Sequence, residues 1–446
     1  MSGWLITNAR LLNEGRQTEG DLRIKRGRIE QIASQLKARS GETVVDAQGK
    51  YLMPGMIDDQ VHFREPGLTR KGNIASESKA AVAGGITSYL EMPDTSPPTT
   101  TRLALADKFS RAAGRSTANY SFYLGASRDN LSEVKALEPL EACAVSVFMG
   151  SASANLSIED PKLLGEIFRH APGLVVAHCE DSTTVESNLS EARRRYANRI
   201  PASAHAEIHS REACLKASTL AVQLAQEHNT RLHLLKISTE DELALLTAGA
   251  MADKQITAEA CVHHLYFIDA DYEALGNLIK CNPAIKTGDD RGALRKALRD
   301  GRLDIIGSDH SPHLLREKSG NYDSAAAGLP LVQYALPIAW SLVAGRTLSP
   351  EALVEKLAHN PARRFQIRER GFIREGYCAD LVLLDPRERT IVNRQPMISQ
   401  CGWTPLAGRK LPARVAATWV NGNLVWRDGL LTGIVPGERL EFDRPA

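Results

Sequence analysis

The chain has 446 residues, 43% of them hydrophobic and 24% charged, with a formal net charge of +2. That length can bury a large core, and the composition excludes a chain too polar and too charged to fold. Near-neutral charge, with no Lys and Arg cluster interleaved with aromatics, argues against a nucleic-acid or membrane-surface partner and for a small molecule. Seven cysteines, scattered and never in a C-x-x-C pair, read as reduced and mostly structural. MSGWLITNARLL lacks a signal-peptide pattern and no apolar run approaches the ~20 residues of a membrane span, so a cytoplasmic location is expected.

In chain order, residues 1–54 alternate short β-type runs with turns: WLITNARLL, DLRIKRGRIEQIA and TVVDAQGKYLMPG. The pattern then changes. Eight β-rich apolar runs follow: MIDDQVHF, ITSYLEM, ANYSFYLGA, CAVSVFMG, GLVVAHCE, RLHLLKIS, QITAEACV and LDIIGSDH. Between them lie stretches with apolar residues at helix spacing, such as PKLLGEIFRHAP, SREACLKASTLAVQLAQEHN and GDDRGALRKALRDG. Strands alternating with helices imply a parallel sheet, and eight such units predict an α/β fold of the TIM (β/α)8 barrel type over 55–365. From 366 to 446 short strands return, in GYCADLVLLD and ARVAATWVNGNLVWRDG, with a hairpin turn expected at Asn421-Gly422. Neither terminal piece makes a core alone, so 1–54 and 366–446 are expected to pack as one small β-sandwich-like domain built from both chain ends.

Barrel enzymes carry their reactive groups where the strands end. Strand 1 ends in His62 and Arg64, strand 2 in Glu91 and Asp94, strand 4 near Ser146, and strand 5 in His178, Glu180 and Asp181. Strand 6 ends in Lys236 and strand 8 in Asp309 and His310, with Asn282 and His313 just beyond strands 7 and 8. A single polar strand end is as often a satisfied structural group as a functional one. Jointly, His62, His178 and Asp309 form a two-histidine, one-carboxylate set that can hold a metal and leave room for water. In CVHHLYF at least one of His263 and His264 is expected to be structural, and His170, His205, His209, His228, His233 and His359 have no evident partner.

DDQVHFREPG, AGGITSYLEMPDTSPPTT, VFMGSASANL, AHCED, KISTEDEL, HHLYF, CNPAIK, GSDHSPHLLREK and GYCADLVLLD together resemble the dihydroorotases of the amidohydrolase superfamily, in order and spacing, over almost the whole chain. The resemblance implies two zinc ions ~3.5 Å apart that activate a water to open a cyclic amide. By motif, His62 is the second histidine of His-x-His, His178 the strand-5 ligand, and Asp309 both ligand and general base. Three positions depart from the pattern: the first histidine is Gln60, the bridging strand-4 lysine is Ser146, and the strand-6 histidine is Lys236. The resemblance therefore implies at most one zinc, held by His62, His178 and Asp309, or none, with Lys236 supplying positive charge; a carbamylated Lys236 is a further variant. Arg64, Asn282 and His313 match the groups that grip the substrate carboxylate, while Asp94 replaces the usual asparagine beside them.

These residues lead to an expected dihydroorotase-like hydrolase that interconverts dihydroorotate and N-carbamoyl-aspartate in pyrimidine biosynthesis. Asp309 would move the proton, and a single metal or Lys236 would activate the water. Two alternatives stay open. One is a catalytically silent homologue serving as a structural partner of aspartate transcarbamoylase; the other is an allantoinase-like or hydantoinase-like enzyme. The resemblance also implies a homodimer or larger assembly.

Overall fold

The computed structural model describes residues 3–150, 156–197, 199–392 and 396–444, so part of VFMGSASANL lies outside the described residues. Each of the eight predicted runs carries a strand. Strands 1 to 8 of the barrel are Met56–Val61, Ile86–Glu91, Asn119–Phe122 continued by Leu124–Gly125, Val145–Met149, Leu174–Cys179, Arg231–Leu235, Ile256–Cys261 and Ile305–Gly307. Neighbours pair in parallel register around the ring. A parallel bridge between Val61 and His310, with His62 N donating to His310 O at 2.8 Å, closes strand 8 onto strand 1.

The outer helices start where the sequence supplies caps. Asp160 caps Pro161–His170, Ser210 caps Arg211–Glu227, and Thr287 with Asp290 forms a capping box on Gly288–Asp300, which stops at Gly301 in the left-handed region. Each cap satisfies an otherwise orphaned N–H and adds about 1 kcal/mol.

The chain ends meet in one sheet. Its order runs Leu430–Leu431, Asn423–Arg427, Arg414–Val420, Leu381–Asp385, Tyr51–Pro54, Trp4–Asn13, Arg16–Lys25, Arg28–Ala33, with Thr43–Asp46 beside Trp4–Asn13. Asn421 and Gly422, at φ 48° and 71°, make the expected hairpin turn. Ile6, Leu22 and Ile24 from the N-terminal strands share an apolar cluster with Leu381, Leu383 and Trp419 from the C-terminal ones. Tyr51–Pro54 runs straight into barrel strand 1 through Gly55, where a Cβ would stand 2.1 Å from the Thr87 side chain.

Three sequence-level details are corrected. The third run breaks at Tyr123, so its strand comes in two pieces; the Tyr123 hydroxyl donates to Asp59 O at 2.7 Å. Ser146 is the second residue of strand 4 rather than its end, and Asn282 lies well past strand 7, beyond the helix Asp271–Leu275. Among the described residues no helix is long and apolar enough to cross a membrane.

Candidate active site

The strand ends open into a cavity of about 600 Å³ lined by His62, Arg64, Asp94, His178, Lys236, Asn282, Asp309 and His313. Three of these sit in the left-handed backbone region: Arg64 at φ 70°, Lys236 at 58° and Asp309 at 46°. Each such residue costs about 1–3 kcal/mol, and it persists only where its surroundings hold it there.

Those surroundings are an alternating row of charge. Asp309 Oδ1 accepts from Lys236 Nζ at 2.9 Å and lies 3.2 Å from His62 Nε2. On its other side His62 Nδ1 is 2.6 Å from Asp94 Oδ1, and Asp94 Oδ2 accepts from Arg64 Nη1 at 3.3 Å. Burial disfavours charge on His62, Lys236, Asp94 and Asp309, but mutual attraction outweighs it. Against burial, Asp94 and Asp309 hold the His62 imidazole above its usual value, and Asp309 does the same for Lys236. Lys236 and His62 in turn hold Asp309 well below the carboxylate range, as His62 and Arg64 hold Asp94. Each of these shifts favours the charged form, so the row from Lys236 to Arg64 alternates cation, anion, cation, anion, cation.

This arrangement answers what a carboxylate does beside an anion clamp. Asp94 is neutralised by His62 and Arg64, and it draws on the guanidinium that would otherwise face a substrate. Arg64 also donates to Ser311 Oγ and, at 3.3 Å, to Pro312 O, and its Nη2 is 3.0 Å from His313 Nε2. Burial, with Arg64 and Lys71 nearby, pushes His313 down to about 2, so it is neutral. Lys71, which no motif singled out, brings Nζ within 3.0 Å of His313 Nδ1. Asn282 gives its carbonyl to Lys236 Nζ at 3.3 Å, while its side-chain Oδ1 is buried without a partner.

His178 stands apart from the row. Its Nε2 is 3.2 Å from Glu180 Oε2, its Nδ1 is buried and unpartnered, and burial pushes the ring below its usual value. Glu180 also meets His209 Nδ1 at 2.8 Å, and His205 bonds Tyr322 and Cys281 O. Sequence reasoning missed these partners, and those of His233 and His359, because they come from other elements. His264 Nε2 is 3.0 Å from Pro283 O, and its Nδ1 is buried without a partner. His263 has no hydrogen bond on either ring nitrogen, is pushed down to about 4 by burial, and faces Asp309 Oδ2 at 3.9 Å.

A dinuclear zinc centre does not fit these donors. Gln60 offers a neutral amide, its Nε2 unpartnered and its Oε1 3.9 Å from Cys261 Sγ; Ser146 Oγ is buried and unpartnered. The Lys236 ammonium holds one Asp309 oxygen at 2.9 Å, and its charge repels a cation placed beside it. Among the described residues, two groups bring three such ligand atoms within 4.8 Å of one another: Cys261, His263 and His264, and Asp59, His233 and Glu259. His62, His178 and Asp309 do not form such a group.

The amidohydrolase family model matches residues 51–425. A dihydroorotase from Halobacterium salinarum is 32% identical over 413 residues, covering 91% of this chain and 93% of that protein. One from Pelobacter propionicus is 30% identical over 438 residues, covering 95% and 99%. An L-hydantoinase (dihydropyrimidinase) from Arthrobacter aurescens superposes with a TM-score of 0.92 at 25% identity, over 99% of this chain and 100% of that one. With a closed parallel barrel, a polar cavity at its strand ends and a family match over most of its length, the chain belongs to the amidohydrolase family.

Proposed function

We propose that the protein is a dihydroorotase-like hydrolase that opens a cyclic amide, and that Lys236 and Asp309 do at its mouth what a metal pair does in the family pattern. The observation that carries this reading is the 2.9 Å contact of Lys236 Nζ with Asp309 Oδ1 in a cavity that also holds Arg64, Asn282 and His313. Dihydroorotase relatives over most of the chain support the substrate class.

The chemistry follows from what each group can donate. Asp309 Oδ2, the oxygen not held by Lys236, accepts a proton as water attacks the ring carbonyl carbon. The carbonyl π pair moves onto oxygen, and the ammonium of Lys236 stabilises the oxyanion, a contribution of about 2.7–4 kcal/mol for a single well-placed donor. Collapse re-forms the carbonyl, breaks the C–N bond and returns the proton from Asp309 to the leaving nitrogen. Arg64, Asn282 and His313 bind and orient the substrate. Zinc, at most one ion per chain, is not needed for these steps. The terminal segments 1–54 and 366–446 form one small β domain beside the barrel at 55–365, a division supported by their common sheet.

A second reading has its own support: Asp94 engages Arg64, which suits a substrate without a carboxylate, such as a hydantoin. Turnover of dihydroorotate and of a hydantoin, each with added zinc and with chelator, tests both. Dihydroorotate turnover that survives chelator supports the leading proposal, and hydantoin turnover alone supports the second. No turnover of either refutes hydrolysis and leaves a silent partner, to be sought by co-purification with aspartate transcarbamoylase.

A further inference from the structure

Inside the barrel, three side chains aim electron pairs at one gap. Asp59 comes from strand 1, His233 from strand 6 and Glu259 from strand 7, and all are fully buried. Their ligand atoms lie within 4.8 Å of one another. Both Asp59 oxygens, Glu259 Oε2 and His233 Nε2 lack a hydrogen-bond partner. Leaving buried polar groups in this state is costly, so three around one gap call for an occupant.

The imidazole is already oriented for one. Thr257 points its hydroxyl toward Leu232 O at 3.5 Å and sits 2.8 Å from His233 Nδ1. In the tautomer with the hydrogen on Nδ1, Nδ1–H donates to Thr257 Oγ1 and Nε2 presents a lone pair to the carboxylates. Nε2 is 3.4 Å from Asp59 Oδ2, too far for a good hydrogen bond. It is close to the edge of a tetrahedron whose ligands stand ~2.0–2.2 Å from a central ion, roughly 3.3–3.5 Å. Gly307 keeps the space clear, since a Cβ there would stand 2.7 Å from Glu259 Oε2 and 3.1 Å from Asp59 Oδ1.

We infer that Asp59, His233 and Glu259 form a buried divalent-metal site, separate from the substrate cavity. One imidazole and two carboxylates suit zinc or manganese. A proton shared between the two carboxyls is the competing occupant, and burial with the Asp59 charge pushes Glu259 well above its usual range. A single proton leaves His233 Nε2 unsatisfied, whereas an ion serves all three groups. The site also bears on the mouth, because Glu259 Oε1 accepts from the backbone N of Lys236 at 3.4 Å. An ion there fixes the carboxylate that supports the left-handed turn at Lys236.

The test uses the untagged full chain, refolded with zinc or manganese and desalted, with metal measured by mass spectrometry. We expect about one ion per chain, lost at least about tenfold in Glu259→Gln and His233→Ala and kept in His178→Ala. A cobalt-loaded sample should show visible ligand-field absorption that Glu259→Gln abolishes. Circular dichroism and gel filtration verify folding, and the wild-type stoichiometry with the near-isosteric Glu259→Gln decides the matter should His233→Ala fail to fold. Less than about a tenth of an ion per wild-type chain with either metal, or loss in His178→Ala with retention in Glu259→Gln, overturns the site.

Discussion

Replacing Lys236 by methionine keeps the length of the side chain and removes its charge. Asp309 then loses its closest cation, at 2.9 Å, while keeping His62 at 3.2 Å. Breaking one partner out of a buried pair costs about 3–5 kcal/mol, because the remaining charge is left uncompensated. His62 offsets part of that, so the lower end of the range is the better expectation. In the proposed reaction the same substitution removes the donor to the oxyanion, worth about 100–1,000-fold in kcat. Two assays separate the effects: urea unfolding at neutral pH reports stability, and dihydroorotate hydrolysis with chelator reports the chemical step. The double variant Lys236→Met/Asp309→Asn adds a control, since an amide leaves no bare charge and should recover much of the lost stability but none of the activity. A Lys236→Met enzyme within threefold of wild-type kcat/KM, or a double variant less stable than the single one, would refute the reasoning.

Other outcomes follow from the same geometry. Asp94→Asn should release Arg64 and lower KM for a carboxylate-bearing substrate while leaving a hydantoin unaffected, as steady-state kinetics on both would reveal. Asp94 and Asp309 are held below their unfolded values, so their stabilisation is present above about pH 4 and is lost as pH falls below it; acid denaturation of Asp94→Asn should be correspondingly shallower. Asp58 behaves oppositely: burial raises it from 3.8 to about 7, so the native state resists ionisation and stability falls as pH rises between these values. Asp58→Asn should thus match wild type at pH 4 and exceed it at pH 8, by up to roughly 4 kcal/mol in denaturant titrations. Gly307→Ala should destabilise the barrel and abolish retained metal, since its methyl fills the gap between Asp59 and Glu259; a variant that still holds one ion would contradict the proposed site.

The parts legible in the sequence are those governed by local rules. Eight apolar runs at strand length, separated by helices with Asp160, Ser210 and Thr287 at their starts, announce a parallel barrel because capping and periodicity act over a few residues. The strand-end listing found His62, Lys236 and Asp309 for the same reason, since closure of the barrel brings strand ends to one mouth. It missed Lys71 beside His313, which no strand end or motif marked, and it had no means of seeing Asp59, His233 and Glu259 as a group. Those three come from three strands and meet only once the ring is closed.

The sequence by itself determined which side chains are available: Gln60, Ser146 and Lys236 remove a bridge and two imidazoles from the family pattern, whatever the chain does in space. Only the tertiary structure decided what they do instead. The charge state of Lys236, Asp309, His62 and Asp94 is a property of their separation and burial, and Coulomb energies between buried charges change by kilocalories over an ångström. No spacing in a linear chain carries that information, because the four residues reach one another across strand ends that sequence distance does not bring together.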